Sequence, residues 1–206
     1  EPLLAGNELS KLFSINYLND VPPSEAVQQR LFDSIRREMK ACDVVLLTDF
    51  GHGLMQKKLR ELVQEEAPFL VLNCQTNSNN HGFNIITRQY QRADAFSLDN
   101  QEIMLSCGLK NFDAEGELAA IAKSFGSSYA WLTRGSVMTL GLAEGYEPSE
   151  IPPLVTDVTD TVGAGDAFFS VAGLAAVQRL PLDVATFLGQ LAGAQAVNIV
   201  GNERPI

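Results

Sequence analysis

The sequence predicts an α/β fold, in which helices cover both faces of a central, mainly parallel β-sheet. Short apolar and β-branched runs alternate with longer amphipathic segments along most of the chain, which is typical of parallel strands joined by helical crossovers. With 206 residues, 46% of them apolar, the chain is long enough to bury such a core. Polar and glycine-containing segments follow several of the apolar runs, and they predict loops at the ends of the strands.

The first predicted elements are a helix and a strand before residue 50. Ser24 is a candidate N-cap of a helix whose apolar residues recur four apart. These residues are Val27, Leu31, Ile35 and Met39. The run 44–48 is continuously apolar or β-branched, which predicts a strand buried on both faces. A loop is predicted over 49–53.

The alternation continues through the rest of the chain. We predict helices over 54–66, 114–125, 165–178 and 183–200, and strands over 69–72, 95–98, 129–132 and 137–142. A polar loop rich in asparagine follows the second strand over 73–82. Because ligands of open α/β sheets bind at the carboxyl ends of the strands, the loops after the strands are expected to line one crevice.

Composition excludes several classes of function. The chain has 15 basic and 25 acidic residues, a formal charge of −10, which disfavours a nucleic-acid partner because such binding rests on Lys and Arg. No apolar run reaches the roughly 18 residues of a membrane span. Cys42, Cys74 and Cys107 form no disulfide or zinc motif, and the two histidines have no metal-ligand spacing. We therefore expect a cytoplasmic protein without a membrane partner.

The segment that carries chemistry is Gly163–Asp166, directly before an apolar helix. Backbone N–H groups at a helix N-terminus lack intrahelical partners, and glycines let a phosphate approach them closely. Asp166, in the first turn, can accept a proton from an attacking hydroxyl. The alternative is a glycine-rich turn followed by a capping aspartate. The segment thus predicts phosphoryl transfer with Asp166 as base.

The longer segment 160–168, Asp-Thr-Val-Gly-Ala-Gly-Asp-Ala-Phe, resembles the C-terminal signature of the ribokinase-like, or PfkB, carbohydrate kinases. The order of elements is similar to that family from about residue 41 to 201. Within it, the segment 43–53 is most similar to the kinase part of bifunctional heptose-phosphate kinase/adenylyltransferases. The resemblance implies a three-layer α/β/α fold and ATP-dependent phosphorylation of a sugar or sugar phosphate.

The resemblance also implies roles for residues around the phosphates. Asp166 is the catalytic base, and Gly163, Ala164 and Gly165 form the anion hole. Asp99, where the family usually has Asn, and Glu102 help to order Mg²⁺ through water. The backbone around Asp160 and Val162 matches the place where many relatives hold a monovalent cation, usually potassium. Capping of a helix from residue 100 is the alternative role of Asp99.

Further positions match the family's nucleotide site. Thr133 and Gly135 match a Thr-x-Gly turn at the nucleotide phosphates and ribose, although Met138 stands where a second glycine is frequent. Gln190 lies near where relatives place an Asn at the adenine. The alternative is that Gln190 is a polar residue on a packed helix.

The acceptor site is expected in the loops after the first two strands. Asp49, Gly51 and His52 follow one strand and Asn73 follows the other, and the polar loop 73–82 offers the neutral donors and acceptors that polyol recognition requires. A solvated loop at His52 and a mobile loop over 73–82 are the alternatives.

Other interpretations remain open at this stage. Glu1 is not an initiator Met, and no equivalent of the family's N-terminal sugar-binding and lid portion is found. We therefore expect residues 1–206 to be a single kinase domain lacking that portion. Relatives often form homodimers, so a homodimer is an expectation.

Two alternatives to a sugar kinase follow from the sequence. One is a non-catalytic sugar- or nucleotide-binding module, and the other is a kinase of a vitamin precursor or nucleoside. Neither a P-loop nor a dinucleotide-binding motif is present.

Overall fold

The computed structural model describes residues 15, 17, 21–76, 82–155, 157–200 and 203–206. Part of the polar loop, residues 77–81, lies outside them, as does most of the segment before residue 21. In chain order, the elements are α1 (Glu25–Met39), β1 (Val45–Asp49), α2 (Lys57–Glu66), β2 (Leu70–Cys74), α3 (Ile86–Gln89), β3 (Ala95–Asp99), α4 (Asn100–Cys107), α5 (Ala114–Phe125), β4 (Tyr129–Thr133), β5 (Thr139–Ala143), β6 (Ser149–Ile151), α6 (Ala164–Val177) and α7 (Leu182–Ala196).

The six strands form one sheet in the order β1-β2-β3-β4-β5-β6. Strands β1 to β4 are parallel, and β5 and β6 are added antiparallel. The prediction of a mainly parallel sheet is therefore confirmed. Because β1 to β4 run in one direction, the residues that follow them emerge at one edge of the sheet.

Helices cover both faces of the sheet, as predicted. Trp131 of β4 packs against Phe168 of α6 with the ring centroids 6.0 Å apart, and its indole N–H donates to Thr186 of α7 at 3.0 Å. Phe96 of β3 points to the other face, where it packs against Phe125 of α5. The apolar core thus lies in two layers, with α6 and α7 on one side of the sheet.

The first strand differs from its prediction. The run 44–48 is not buried on both faces, since Leu46 is 38% exposed and β1 alternates between covered and exposed residues. The physical reason is position, because β1 pairs only with β2 within the described part of the chain. A β-branched, apolar run therefore marks an edge strand here.

Smaller differences concern boundaries. The strand predicted over 137–142 begins at Thr139, because Arg134 and Met138 close a turn with a 2.9 Å backbone hydrogen bond. The helix predicted over 54–66 begins at Lys57, and the last helix ends at Ala196 rather than at residue 200. Within the described ranges, no helix has both the length and the apolar character needed to cross a membrane.

Candidate active site

The N-terminus of α6 is formed by the glycine-containing segment. Gly163 is the N-cap with a φ of 83°, in the left-handed region that glycine adopts without strain. The N–H of Ala167 donates to the carbonyl of Gly163 at 2.9 Å, which closes the first helical turn. In the described part of the chain the N–H groups of Gly163 and Gly165 have no acceptor, whereas that of Ala164 donates to Thr161 at 3.3 Å. The turn can therefore receive an anion.

Asp166 lies in the first turn of α6 and is half-buried. Its Oδ1 accepts a 2.9 Å hydrogen bond from Nε2 of Gln75, and no described residue donates to Oδ2. Burial raises the pKa of Asp166 above its ordinary value, and the hydrogen bond from Gln75 opposes that rise. The carboxylate thus has one oxygen held and the other available to a ligand.

Asp99 and Glu102 form a reciprocal cap at the start of α4. Oδ1 of Asp99 accepts from the N–H of Glu102 at 2.7 Å, and Oε2 of Glu102 accepts from the N–H of Asp99 at 2.8 Å. The capping alternative is therefore realised at Asp99. Capping leaves the second oxygen of Asp99, an exposed residue, free of this contact.

Glu102 is 6% exposed and lies within electrostatic reach of Asp166. Burial first, and then the charges of Asp99 and Asp166, raise its pKa to about 8, against the opposing hydrogen bonds from the N–H groups of Asp99 and Thr76. Three acidic side chains are thus brought into one electrostatic cluster, with Asp99 at the carboxyl end of β3, Glu102 in the first turn of α4 and Asp166 in the first turn of α6. The sequence predicted that the loops after the strands would meet in one crevice, but it did not predict which side chains would come into contact there.

These carboxylates suit a hard divalent cation that keeps most of its water. No group of three or more His, Cys, Asp or Glu side chains in the described residues could enclose a metal ion directly. Mg²⁺ usually binds through one or two carboxylates, waters and substrate phosphates. An exposed carboxylate at Asp99 beside buried Glu102 fits that mode.

Asp49 ends β1 and is only 4% exposed. Its carboxylate accepts from the N–H of Gly51 at 2.9 Å and from the hydroxyl of Tyr90 at 2.7 Å. These bonds fix the loop after β1, so both oxygens of Asp49 already have partners. His52 is exposed, with its ring centroid 6.5 Å from that of Phe50. A role in acceptor binding stays a prediction for Asp49, Gly51 and His52.

Asn73 lies beside the end of β1, near the end of β2, with 7% exposure. Its Nδ2 donates to the carbonyl of Ser97 at 3.1 Å, and its buried Oδ1 has no partner among the described residues. A buried oxygen without a hydrogen bond lowers the stability of the folded protein. Oδ1 of Asn73 lies on β2, the strand that Gln75 directly follows. Its role in acceptor binding stays a prediction.

The predicted nucleotide residues fall in two places. Thr133 pairs with Asp99 in the sheet and donates to the carbonyl of Leu98 at 3.3 Å, so it lies beside the acidic cluster. Gly135, with φ 53°, lies in the turn that follows. Gln190 instead donates to the carbonyl of Ile151 at 3.2 Å, which ties α7 to β6. The alternative of a packed polar residue thus describes its contacts here.

A largely apolar groove of about 620 Å³ runs between α6 and α7 and reaches Gly163 and Asp166. Its other lining residues include Leu188, Leu191 and Arg204. The loop before α6 borders the groove and is fixed to α7, since the N–H groups of Thr159 and Asp160 donate to the carbonyl of Val197 at 2.9 and 3.1 Å. The N–H of Val162 donates to the Asp160 carboxylate at 3.0 Å. Cation binding at Asp160 and Val162 stays a prediction.

Solved structures of several kinases share this architecture. Phosphofructokinase-2 of Escherichia coli in complex with potassium superposes with a TM-score of 0.67 at 14% identity, covering 84% of this chain and 58% of that one. Arabidopsis thaliana ribokinase with ribose and ATP gives 0.62 at 16%, covering 89% and 56%. Adenosine kinase of Sinorhizobium meliloti gives 0.66 at 14%, covering 83% and 54%. The chain therefore has the ribokinase-like fold.

Sequence comparison points to particular relatives within that class. Bifunctional protein HldE of Rhodopseudomonas palustris strain HaA2 is 27% identical over 179 residues, which are 85% of this chain and 36% of that protein. HldE of Wolinella succinogenes is 20% identical over 203 residues, 97% of this chain and 41% of that protein. No protein-family model matches the chain.

The chain is thus a distant homologue of the bifunctional HldE proteins and has the fold of the PfkB, ribokinase-like carbohydrate kinases. The resemblance predicted from the sequence is confirmed. The chain spans well under half of the length of the curated relatives that it matches.

Three contacts in the site were not predicted from the sequence. Gln75 binds Asp166, Tyr90 binds Asp49, and Asn84 donates to the carbonyl of Asp49 at 2.8 Å. Each joins residues at least 35 positions apart. The polar loop signalled only that Gln75 was near the site, and Tyr90 and Asn84 carried no signal.

Proposed function

We propose that this protein transfers the γ-phosphoryl group of ATP to a hydroxyl of a sugar or sugar phosphate. The observation that carries the proposal is the position of Asp166. Its carboxylate lies in the first turn of α6, beside glycine N–H groups that have no acceptor in the described part of the chain, with one oxygen held by Gln75. An anion site and a base therefore adjoin.

In the proposed reaction Asp166 accepts the proton of the acceptor hydroxyl. The hydroxyl oxygen forms a bond to the γ-phosphorus while the bond from that phosphorus to the β–γ bridging oxygen breaks, which releases ADP. Negative charge on the transferring group faces the N–H groups of Gly163 and Gly165, joined by that of Ala164 once it leaves the carbonyl of Thr161. These groups stabilise the charge together with the helix dipole. A positioned base contributes about two to four orders of magnitude to such a step.

The nucleotide is proposed to lie along the groove between α6 and α7, with its phosphates at Gly163. The apolar lining of the groove supports a role in binding the nucleobase of ATP, and Arg204 lies in the same groove. Thr133 and Gly135 are proposed to contact the phosphates or ribose from the neighbouring turn. Gln190 is proposed to lie near the adenine, and its amide donates to the carbonyls of Ile151 and Pro152.

Asp99 and Glu102 are proposed to hold Mg²⁺ through water, and Asp160 and Val162 to hold a monovalent cation such as potassium. Bound Mg²⁺ would neutralise charge on the nucleotide phosphates. The buried carboxyl of Glu102, with its pKa raised to about 8, would then be favoured in its ionised form by the nearby cation.

The acceptor is proposed to bind near Asp49, Gly51, His52 and Asn73. Support comes from the orphaned Oδ1 of Asn73 and from the HldE relatives. We further propose that residues 1–206 belong to one kinase domain that acts in the cytoplasm, with a homodimer as one assembly.

Replacement of the base tests the mechanism. We expect Asp166→Asn to fold normally and to lose kcat by about two to four orders of magnitude, because the amide cannot accept the proton. The measurement is ATP consumption by the whole protein with a panel of sugars, sugar phosphates including heptose 7-phosphate, and nucleosides. Unchanged turnover in the variant would exclude Asp166 as the base.

A non-catalytic binding module is the second candidate. It is favoured by the contacts of Asp49 and Asp99, whose carboxylates are engaged in fixing loops and capping α4. This candidate would be selected if the wild-type protein bound a member of the panel tightly but consumed ATP with none of them.

A further inference from the structure

We propose that Gln75 is a positioning residue for the base, and that its side-chain amide holds Asp166 so that Oδ2 faces the acceptor hydroxyl. The inference rests on the proposed function, since it takes Asp166 as the base. It adds a residue that lies on a different element from the anion hole. Gln75 follows β2, whereas Asp166 lies on α6.

The contact has the geometry that positioning requires. Nε2 of Gln75 donates to Oδ1 of Asp166 at 2.9 Å, a length typical of a hydrogen bond to a carboxylate. One donor on one oxygen restricts rotation of the carboxyl group. No described residue donates to Oδ2, so this oxygen is left for the acceptor hydroxyl.

The backbone of Gln75 is fixed on both sides. Its N–H donates to the carbonyl of Asp49 at 2.9 Å, and its carbonyl accepts from Nδ2 of Asn84 at 3.3 Å. Asn84 is 5% exposed, and the same Nδ2 also donates to the carbonyl of Asp49 at 2.8 Å. The amide of Gln75 therefore projects from an anchored point, as a positioning group needs.

The next residue contacts a second member of the acidic cluster. The N–H of Thr76 donates to Oε1 of Glu102 at 3.2 Å. Consecutive residues after β2 thus hold the proposed base and the carboxylate proposed for Mg²⁺. A change in the position of this segment would move both groups together, which links the two halves of the proposed site.

The amide also has an electrostatic effect on the base. Burial raises the pKa of Asp166, and the hydrogen bond from Gln75 lowers it. The charged groups nearby are Glu102 on α4, which is electrostatically coupled to Asp166, and Arg204, which lines the same groove. Without the amide donor, the hydrogen bond would no longer oppose the effect of burial. The pKa of Asp166 would then rise, and the carboxyl would ionise at higher pH.

Gln75→Leu removes the donor at similar size, and Gln75→Glu replaces it with a like charge. The matched control is Gln178→Leu, at the exposed C-terminal end of α6, the helix that carries Asp166. For Gln75→Leu we expect kcat to fall by about ten- to a hundredfold, the range for a hydrogen bond to a charged group. We expect the KM for ATP to change by less than about twofold, the acidic limb of the kcat profile to move to higher pH, and Tm to match that of the control. Gln75→Glu should lose more activity than Gln75→Leu.

Two outcomes would overturn the inference. One is a Gln75→Leu variant with wild-type kcat and an unmoved acidic limb. The other is a fall in kcat accompanied by a fall in Tm beyond that of the control, again with an unmoved limb, since this would indicate a structural role.

Carbon-13 NMR titration of the Asp166 carboxyl separates this inference from the proposed function. A higher pKa of Asp166 in Gln75→Leu than in wild type supports the contact even if no acceptor is turned over, in which case only the proposed function fails. An identical titration in both proteins would overturn the contact itself.

Discussion

Gly163 and Gly165 flank the start of α6, but different physical requirements explain them. Gly163 has a φ of 83°, a conformation that side chains with a Cβ adopt only at a cost. A Cβ added to Gly165 would meet no atom beyond its own helix within 4 Å in the described part of the chain. The protein's own packing therefore does not require glycine at position 165, whereas a phosphate approaching the backbone would.

Gly165→Ala separates folding from ligand binding at this residue. We expect the free energy of unfolding to be unchanged or raised by up to about 1 kcal/mol, because alanine favours the helix, while kcat/KM for ATP falls because the methyl group obstructs the phosphate. Gly163→Ala is the contrasting variant, with an expected loss of about 1–2 kcal/mol of stability. Urea denaturation and ATP turnover measure both. Full activity in Gly165→Ala would contradict a phosphate at this backbone.

Some contacts of individual residues have local causes in the sequence, whereas others depend on the fold. The signature around Asp166 predicted a turn with exposed amides, because glycine and aspartate at a helix start have local causes. The partners of Asp166 and Asp49 could not be predicted, since Gln75 and Tyr90 approach them only through the sheet topology. Asp49 was predicted for its position after a strand, but whether its carboxylate faces a ligand or a tyrosine depends on the fold.

At the scale of elements, strands with neighbours on both sides were predicted well. β2, β3 and β4 are almost wholly buried, and their apolar runs identified them. β1 has an equally apolar run but lies at an edge of the sheet, a difference that depends on neighbours rather than on local composition. β6, with three residues, and α3, with four, were not predicted because so short a segment shows no periodicity.

The helix α6, which carries the proposed base, is supported by its close contact with α7. Gly189 faces Phe168 of α6, and a Cβ at position 189 would lie 2.7 Å from its ring, which is buried. Gly193 faces the carbonyl of Ala164, at the start of α6, and a Cβ there would be 3.4 Å away, an ordinary contact. The two glycines of one helix thus differ in how much space they have.

Gly189→Ala and Gly193→Ala test that difference. We expect Gly189→Ala to lower the free energy of unfolding by about 1–3 kcal/mol, as for overpacking of a filled core, and to displace α6 and reduce turnover. Gly193→Ala should leave stability unchanged or raise it by up to about 1 kcal/mol. Thermal and urea denaturation of both variants give the comparison. Equal effects at both positions would show that helix contact does not determine the requirement for glycine.

In the whole molecule, repulsion between acidic side chains at the ligand-free site opposes folding. The chain already carries a formal charge of −10, and the fold brings Asp99, at the end of β3, into one cluster with Glu102 of α4 and Asp166 of α6. Protonation relieves this repulsion, as would cations and oriented N–H groups. The fold therefore concentrates acidic groups where the proposed function needs a cation and a base, and their mutual repulsion lowers the stability of the ligand-free protein.

This cluster predicts how stability depends on pH. Glu102 ionises near pH 8 when folded and near its ordinary value of 4.5 when unfolded, so the folded state binds the proton more tightly. Its stabilising contribution is complete below about pH 4.5 and is lost as pH rises towards 8. Because one unit of pKa difference corresponds to about 1.4 kcal/mol, we expect the free energy of unfolding to fall by a few kcal/mol across this window. Urea denaturation at a series of pH values, with a chelator present, measures this change.

Glu102→Gln should flatten the dependence of stability on pH, whereas Glu115→Gln, at the exposed start of α5, should retain it. A wild-type slope that persists in Glu102→Gln would assign the pH dependence to other groups.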